Sequence, residues 1–309
     1  MTNIIPYPSA VKDIVLGICL CILIFAVSYT FPFVGVFALL VLPLPVLFYR
    51  LKLGRNSGGI IAAVSFAILM VMTRGFAFDT LYFGALLMTG MFLGECIERH
   101  MGIERTMIYT VTGVLGSALA AFVVYAGIQT TAMGDMVSDY ITQYFQLTSA
   151  LYTDMGIDKE QIAALNAAFL IVLPGMLIVS YMTTVWLNIL IIKKLLRRIG
   201  ITLKNMEDLN RFKAPDVLVW VVIGLGVLLA LPIGAAKYVG INCLIILMLV
   251  YFFQGIAIIS FYFQKKGSPT FLKVFCYGLI AVQIYFLILV IGLGFFDNWI
   301  NFRKLTPQK

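Results

Sequence analysis

Charge is scarce in this sequence. Asp, Glu, Lys and Arg make up 12% of its 309 residues, against roughly a quarter in soluble globular proteins. One histidine, His100, leaves almost no room for histidine metal sites or His-based catalysis. The five cysteines (Cys19, Cys21, Cys96, Cys243 and Cys276) stand apart in apolar stretches without metal-ligand spacing, and read as small buried hydrophobes. No GxSxG, HExxH or P-loop pattern is present. Tandem repeats, low-complexity linkers and the strict alternation of a β-barrel are missing as well. The opening MTNIIPYPSAVKDIV has no basic n-region, and no small-x-small cleavage site follows the first apolar run. The first helix is therefore expected to be retained. Together these absences point away from an enzyme, and no cofactor or metal is expected.

What is present is apolar surface, in 62% of the residues and with a mean hydropathy of +1.02 spread along the whole chain. That predicts an all-α polytopic helical membrane protein, a single integral membrane domain over 1–309. A spanning helix needs about 20 apolar residues. By that measure nine spans are expected, at 12–30, 31–49, 58–75, 77–96, 107–127, 164–192, 216–233, 239–263 and 269–296. The segment 128–164 divides the first five from the last four. It is expected to be an external loop, acidic at Asp135, Asp139, Asp154, Asp158 and Glu160. Met136, Tyr140, Tyr144, Leu147 and Leu151 recur there at helical spacing, which predicts an amphipathic helix on the outer leaflet or capping the bundle. Asp158 followed by Gln161 reads as a capping box for the next helix, which is expected to kink at Pro174.

The net charge of +8 has an orienting meaning in such a chain, not a nucleic-acid one, because cytoplasmic loops of membrane proteins are rich in Lys and Arg. With the N-terminus inside, 16 of the 22 basic residues fall on the cytoplasmic side. The expected place is a bacterial cytoplasmic (inner) membrane. Arg303 and Lys304 fit badly, since nine spans place them outside. Either the tail folds back or one span is miscounted. The inner loop from Lys193, Lys194, Arg197 and Arg198 onward is basic and partly amphipathic. It suits anionic membrane lipids, or docking of another membrane or cytoplasmic protein.

Intramembrane ionisable groups, the usual mark of charge-driven transport, are expected only at helix ends, at Arg74, Asp79 and Glu95. The interior offers Thr112, Asn166, Asn188, Asn242, Gln254 and Gln283. Arg74 and Asp79 flank a short outer turn and read as an ion pair. Glu95 and Glu98 beside His100 could hold a metal, but a Glu98–Arg105 surface pair is the more ordinary reading. Small residues at fourfold spacing (Gly59, Ala63 and Ala67; Gly90 and Gly94; Gly113, Ser117 and Ala121) predict close helix contacts.

The stretch LVLPLPVLFYRLKLG, 40–54, carries two prolines in apolar sequence and ends on cations. Each proline removes a backbone donor and disfavours helix before it. The segment is therefore expected to be broken, with Arg50 and Lys52 in the headgroups. Unpaired carbonyls around Pro43 and Pro45 need a polar or protein neighbour. A cavity bordered by Pro43 and Pro45 and lined by Asn188 and Gln254, with Asn166 nearer its outer mouth, is the candidate ligand site.

LPLPVLFYRLKLG, LPGMLIVSYMTTVWLNILIIKKLLRRIG, VYFFQGIAIISFYF and LGFFDNWINFRKL together resemble the YybS-like family of bacterial membrane proteins of unknown function. The first five helices more distantly resemble the superfamily of energy-coupling-factor transporter S components and the cell-shape protein MreD. The S-component resemblance implies small-ligand binding from outside, driven by a separate ATPase module. Their first helix carries an Ala-xxx-Ala face for docking the coupling protein, whereas this one has only Gly17 and Cys21 at that spacing. Two functions are thus expected: a non-enzymatic small-molecule- or lipid-binding transport component, or a scaffold of MreD type that recruits partners through the basic loop.

Overall fold

A computed structural model describes residues 7–73, 78–129, 132–154, 158–200, 203, 209–231 and 234–304. Apart from one short 3-10 turn, the regular elements among them are α-helices: α1 (Tyr7–Thr30), α2 (Pro32–Leu40), α3 (Pro43–Leu53), α4 (Arg55–Met72), α5 (Phe78–Glu98), α6 (Ile103–Gln129), α7 (Met133–Asp154), α8 (Lys159–Arg198), α9 (Val217–Ala230), α10 (Gly234–Lys265), α11 (Thr270–Val282) and α12 (Ile284–Ile300). The all-α membrane class holds. The count of nine spans does not carry over. Among the described residues, seven stretches are long and apolar enough to cross a membrane, and α11 with α12 makes an eighth only if a pair bent by 104° is one span. The expected span at 216–233 is the 14-residue α9, about 21 Å long at 1.5 Å per residue and shorter than a bilayer's hydrocarbon core of about 30 Å. It is cut short at both ends. The chain before it, 212–215, is not helical. After it, Leu231 is extended (φ −78°, ψ 144°), as suits the residue before a proline.

By compactness the chain forms two units: residues 1–140 with 180–206, and residues 141–179 with 207–309. In the first, α1, α3, α4 and α5 pack on one another, and α6 lies along α5. Cys21, Leu42, Val46, Leu47, Ile61, Leu69, Leu93 and Ile189 are fully or almost fully buried there. The prolines start a helix instead of bending one. Pro43 and Pro45 occupy the first turn of α3, where the missing N–H has no intrahelical partner to lose. The turn at Val41 and Leu42 closes on short bonds to Ala38 and Leu39.

In the second unit, α10 is flanked by α9 and α12 and by the 3-10 turn Leu209–Arg211. Ala214, Val219 and Tyr251 form its buried cluster, with Ile291 and Phe295 against it. Gly255 and Gly294 let α10 and α12 touch backbone to backbone, since a Cβ at either would fall on the other helix's carbonyls. The Lys159–Val179 part of α8 also belongs to this unit and runs helical through Pro174. Its ladder is opened there and closed by a side chain. Asn242 donates Nδ2 to the Ile171 carbonyl (2.8 Å) and accepts the Gly175 N–H on Oδ1 (2.6 Å). The amide bridges the pair that a regular i to i−4 bond would join. The capping box forms, with Gln161 accepting the Asp158 N–H at 3.1 Å. The expected helix in the outer segment is α7; the side chains of Tyr144, Leu147 and Leu151 lie outside the described residues.

Candidate functional site

The cations that end the broken segment are held by acidic side chains. Arg50 is 2% exposed, held near the end of α3 against α5. Its Nε donates to Glu98 Oε1 (3.0 Å), and Nη2 donates to Glu98 Oε2 (2.7 Å) and Glu95 Oε2 (2.5 Å). Nη1 donates to the Met91 carbonyl (2.7 Å). A planar guanidinium fits this demand, because its donors point in fixed directions at two carboxylates at once. The room comes from glycine: a Cβ at Gly58 would strike Arg50 Cβ at 2.6 Å, and one at Gly94 would strike its Cδ. The same α5 motif explains Gly90, which faces the Pro43 carbonyl. The expected Glu98–Arg105 pair is replaced by Glu98–Arg50, because the buried cation lies within two-bond reach of Glu98. Lys52 pairs with Asp13 at 2.6 Å, so the start of α1 meets the end of α3. Glu95 is shared with Arg99 (2.9 Å) and, more distantly, Arg55 (3.7 Å).

Asn188 is buried in the first unit and does meet the proline segment. Its Nδ2 donates to the Leu40 carbonyl (2.8 Å) and to Thr184 O (2.7 Å). Leu44 N–H bonds to Val41 O, so Leu40 O lacks the i+4 donor of a continuous helix and takes Asn188 instead. The unpaired carbonyl has its protein neighbour. Asn188 Oδ1 is buried and accepts no hydrogen bond.

Gln254 and Asn166 belong to the second unit. Gln254 accepts the Ala214 N–H on Oε1 (3.1 Å) and donates Nε2 to Asp297 Oδ2 (3.0 Å). Asn166 donates to Thr142 Oγ1 at 3.2 Å. Asp297 is an ionisable group that the sequence reading did not place in the interior: it is 1% exposed and pairs with buried Arg303 at 2.8 Å. Arg303 Nη1 also donates to the carbonyls of Asn210 and Phe212, and Asp297 Oδ1 accepts the Phe302 N–H. In the non-helical chain ahead of α9, the Phe212 carbonyl and the Ala214 N–H are thus both met by side chains. A lone acid in the apolar run of α12, six residues before an arginine, was the available signal.

At the end of α8, Lys194, Arg197 and Arg198 are exposed and Lys193 is half-buried. Arg74 lies outside the described residues, so its expected pairing stays there too; Asp79 accepts the Tyr140 hydroxyl at 2.6 Å. Of the cysteines, Cys21 and Cys96 are buried while Cys19 is exposed. Gly17 and Cys21, the small pair on α1, face inward, and a Cβ on Gly17 would meet Ile61 Cδ1 at 2.7 Å and Tyr49 at 2.9 Å.

A family model described as "Predicted membrane protein (DUF2232)" matches residues 19–298. The "Uncharacterized protein YybS" of Bacillus subtilis (strain 168) is 25% identical over 294 residues, covering 88% of this chain and 90% of that protein. No solved structure matches.

Proposed function

This chain belongs to the DUF2232 family of predicted membrane proteins, and we propose that it works as a non-enzymatic docking component of a bacterial cytoplasmic membrane. In this reading the N-terminus and the end of α8 face the cytoplasm, and Lys194, Arg197 and Arg198 recruit an acidic protein partner. The observation that carries it is a contrast in how cations are used. Arg50, Lys52 and Arg99 in the same unit are engaged by Glu98, Asp13 and Glu95, whereas Lys194, Arg197 and Arg198 stand exposed towards the end of α8. Three cations close together are attractive to an acidic surface and repel one another. The excess of basic residues on one side supports the orientation.

The second reading, a small-molecule-binding component of a transport system, rests on the buried Asn188 Oδ1, an acceptor still to be used. Against it, Asn188 and Gln254 both spend donors on their own chain, and the small face of α1 is consumed by Ile61 and Tyr49. Native mass spectrometry of the full chain from mild detergent tests the choice. A stoichiometric protein partner, lost in the K194E/R197E/R198E variant, is the expected result. A small molecule retained one to one without a protein, and lost in N188L, would overturn the docking reading in favour of the second.

A further inference from the structure

Beside the Arg50 cluster, the outer faces of α4 and α5 leave a shallow groove lined by Arg55, Asn56, Gly59, Ile60, Ala63 and Met91. Its floor is low because of residue size. A Cβ at Gly59 would find only Met91 Cε, at 3.9 Å, and Ala63 is exposed. In a span flanked by lipid such a groove is filled either by another helix or by an acyl chain. From Arg55 to Ala63 it follows α4 for about 12 Å at 1.5 Å per residue, running from the helix terminus towards the membrane interior.

The mouth is cationic in two independent ways. Arg55 is 71% exposed, with its nearest carboxylate, Glu95, at 3.7 Å, a distance without a hydrogen bond. Glu95 is already bonded to Arg50 and Arg99, and Glu98 to Arg50. Three arginines against two glutamates leave one positive charge, and Arg55 is the one on the groove. The second contribution is the N-terminus of α4. Its N-cap is Gly54 (φ 100°), without a side-chain cap, and the first intrahelical bond is Gly58 N–H to Gly54 O at 3.3 Å. Uncapped N–H groups and the helix dipole favour an anion at that point.

We propose that this groove holds one anionic glycerophospholipid, with an acyl chain along Gly59 and Ala63 and its phosphate between Arg55 and the first turn of α4. A second copy of the chain fits worse. A two-fold pairing through this face would set Arg55 against Arg55 and one positive helix end against another. The proposal assumes the orientation given above, and it involves none of the α8 cations.

The test is native mass spectrometry of the full chain in mild detergent with added phosphatidylglycerol, phosphatidylethanolamine of the same chains, or glycerol 3-phosphate. The expected result is one retained phosphatidylglycerol, preferred over phosphatidylethanolamine, with no binding of glycerol phosphate. R55Q should weaken phosphatidylglycerol about fivefold, the factor that one cation near an anionic surface confers, and R55K should restore most of it. A63L, which raises the floor, should weaken both lipids. The K194E/R197E/R198E variant should keep the lipid preference, which separates this site from the docking face. Equal retention of both lipids by wild type and R55Q would overturn the proposal. So would glycerol phosphate binding as tightly as the lipid, or a dimer that A63L dissociates.

Discussion

Replacing Arg50 with methionine removes a charge while keeping most of the stem that Gly58 and Gly94 enclose, so it tests the ion cluster apart from the packing. The guanidinium makes four hydrogen bonds, three of them to carboxylates. Removing one partner of a fully buried ion pair costs roughly 3–5 kcal/mol. Here the orphaned glutamates are 25% and 37% exposed, so water replaces part of what is lost, and Glu95 keeps Arg99. The expected cost is therefore at the lower end, about 3 kcal/mol. The comparator is Arg99→Met. Arg99 is 64% exposed and pairs with Glu95 four residues away on one helix, a geometry worth about 0.3–0.5 kcal/mol. R50K keeps the charge without the fork and should fall between the two. R50M/E98Q should regain part of the R50M loss, because it no longer strands the Glu98 charge. Unfolding in mixed micelles of fixed composition ranks the variants. If R50M is no less stable than R99M, or if E98Q restores nothing on the R50M background, the cluster does not hold α3 to α5 in the way argued.

The amide bridge makes a second expectation: Asn242→Leu leaves the Ile171 carbonyl and Gly175 N–H without their partner, at about 2 kcal/mol. Hydrogen exchange at Gly175 should rise, and unchanged protection there would show that the ladder closes without Asn242. Gly294→Ala should cost at least 1–3 kcal/mol through forced separation of α10 and α12, while Gly292→Ala, which has open space around it, should be near neutral. Equal melting temperatures for the two would refute the close crossing. A cysteine at Lys304 should resist impermeant labelling from outside in intact cells, and ready labelling there would return the tail to the outer face.

Much of this architecture can be read from apolar run length, because lipid forces backbone bonds to close within each helix and so ties span length to bilayer thickness. The helix break at Pro43 was legible for that reason: a missing donor is a covalent property. Where Arg50 goes was not. Period and hydropathy place a terminal arginine in the headgroups, and only the packing of Gly58 and Gly94 against it turns it inward. Asn188 was read as a lining residue near the prolines. It is near them, but its amide closes on the Leu40 carbonyl of its own chain. Asn242 was noted as an interior amide without a role, since nothing local pairs position 242 with position 175. Such pairings exist only once two helices are side by side.

The position of Arg303 and Lys304 depends on contacts of the same kind. The bend at Gln283 (φ −106°, ψ 116°) separates α11 from α12, and the two ends of that pair lie close together. One follows Lys265 by a five-residue step. At the other, the Phe302 carbonyl accepts the hydroxyl of Tyr262, one turn before the end of α10, at 2.7 Å. Arg303 is fixed to Asn210 and Phe212 in the basic segment between α8 and α9. The pair thus begins and ends at one end of α10, with its 104° bend between. Arg303 and Lys304 then lie at the end of α10 that carries Lys265, beside the segment that leads into α9. The Asp297–Arg303 bridge anchors the end of α12 there, through a contact that the sequence alone could not place.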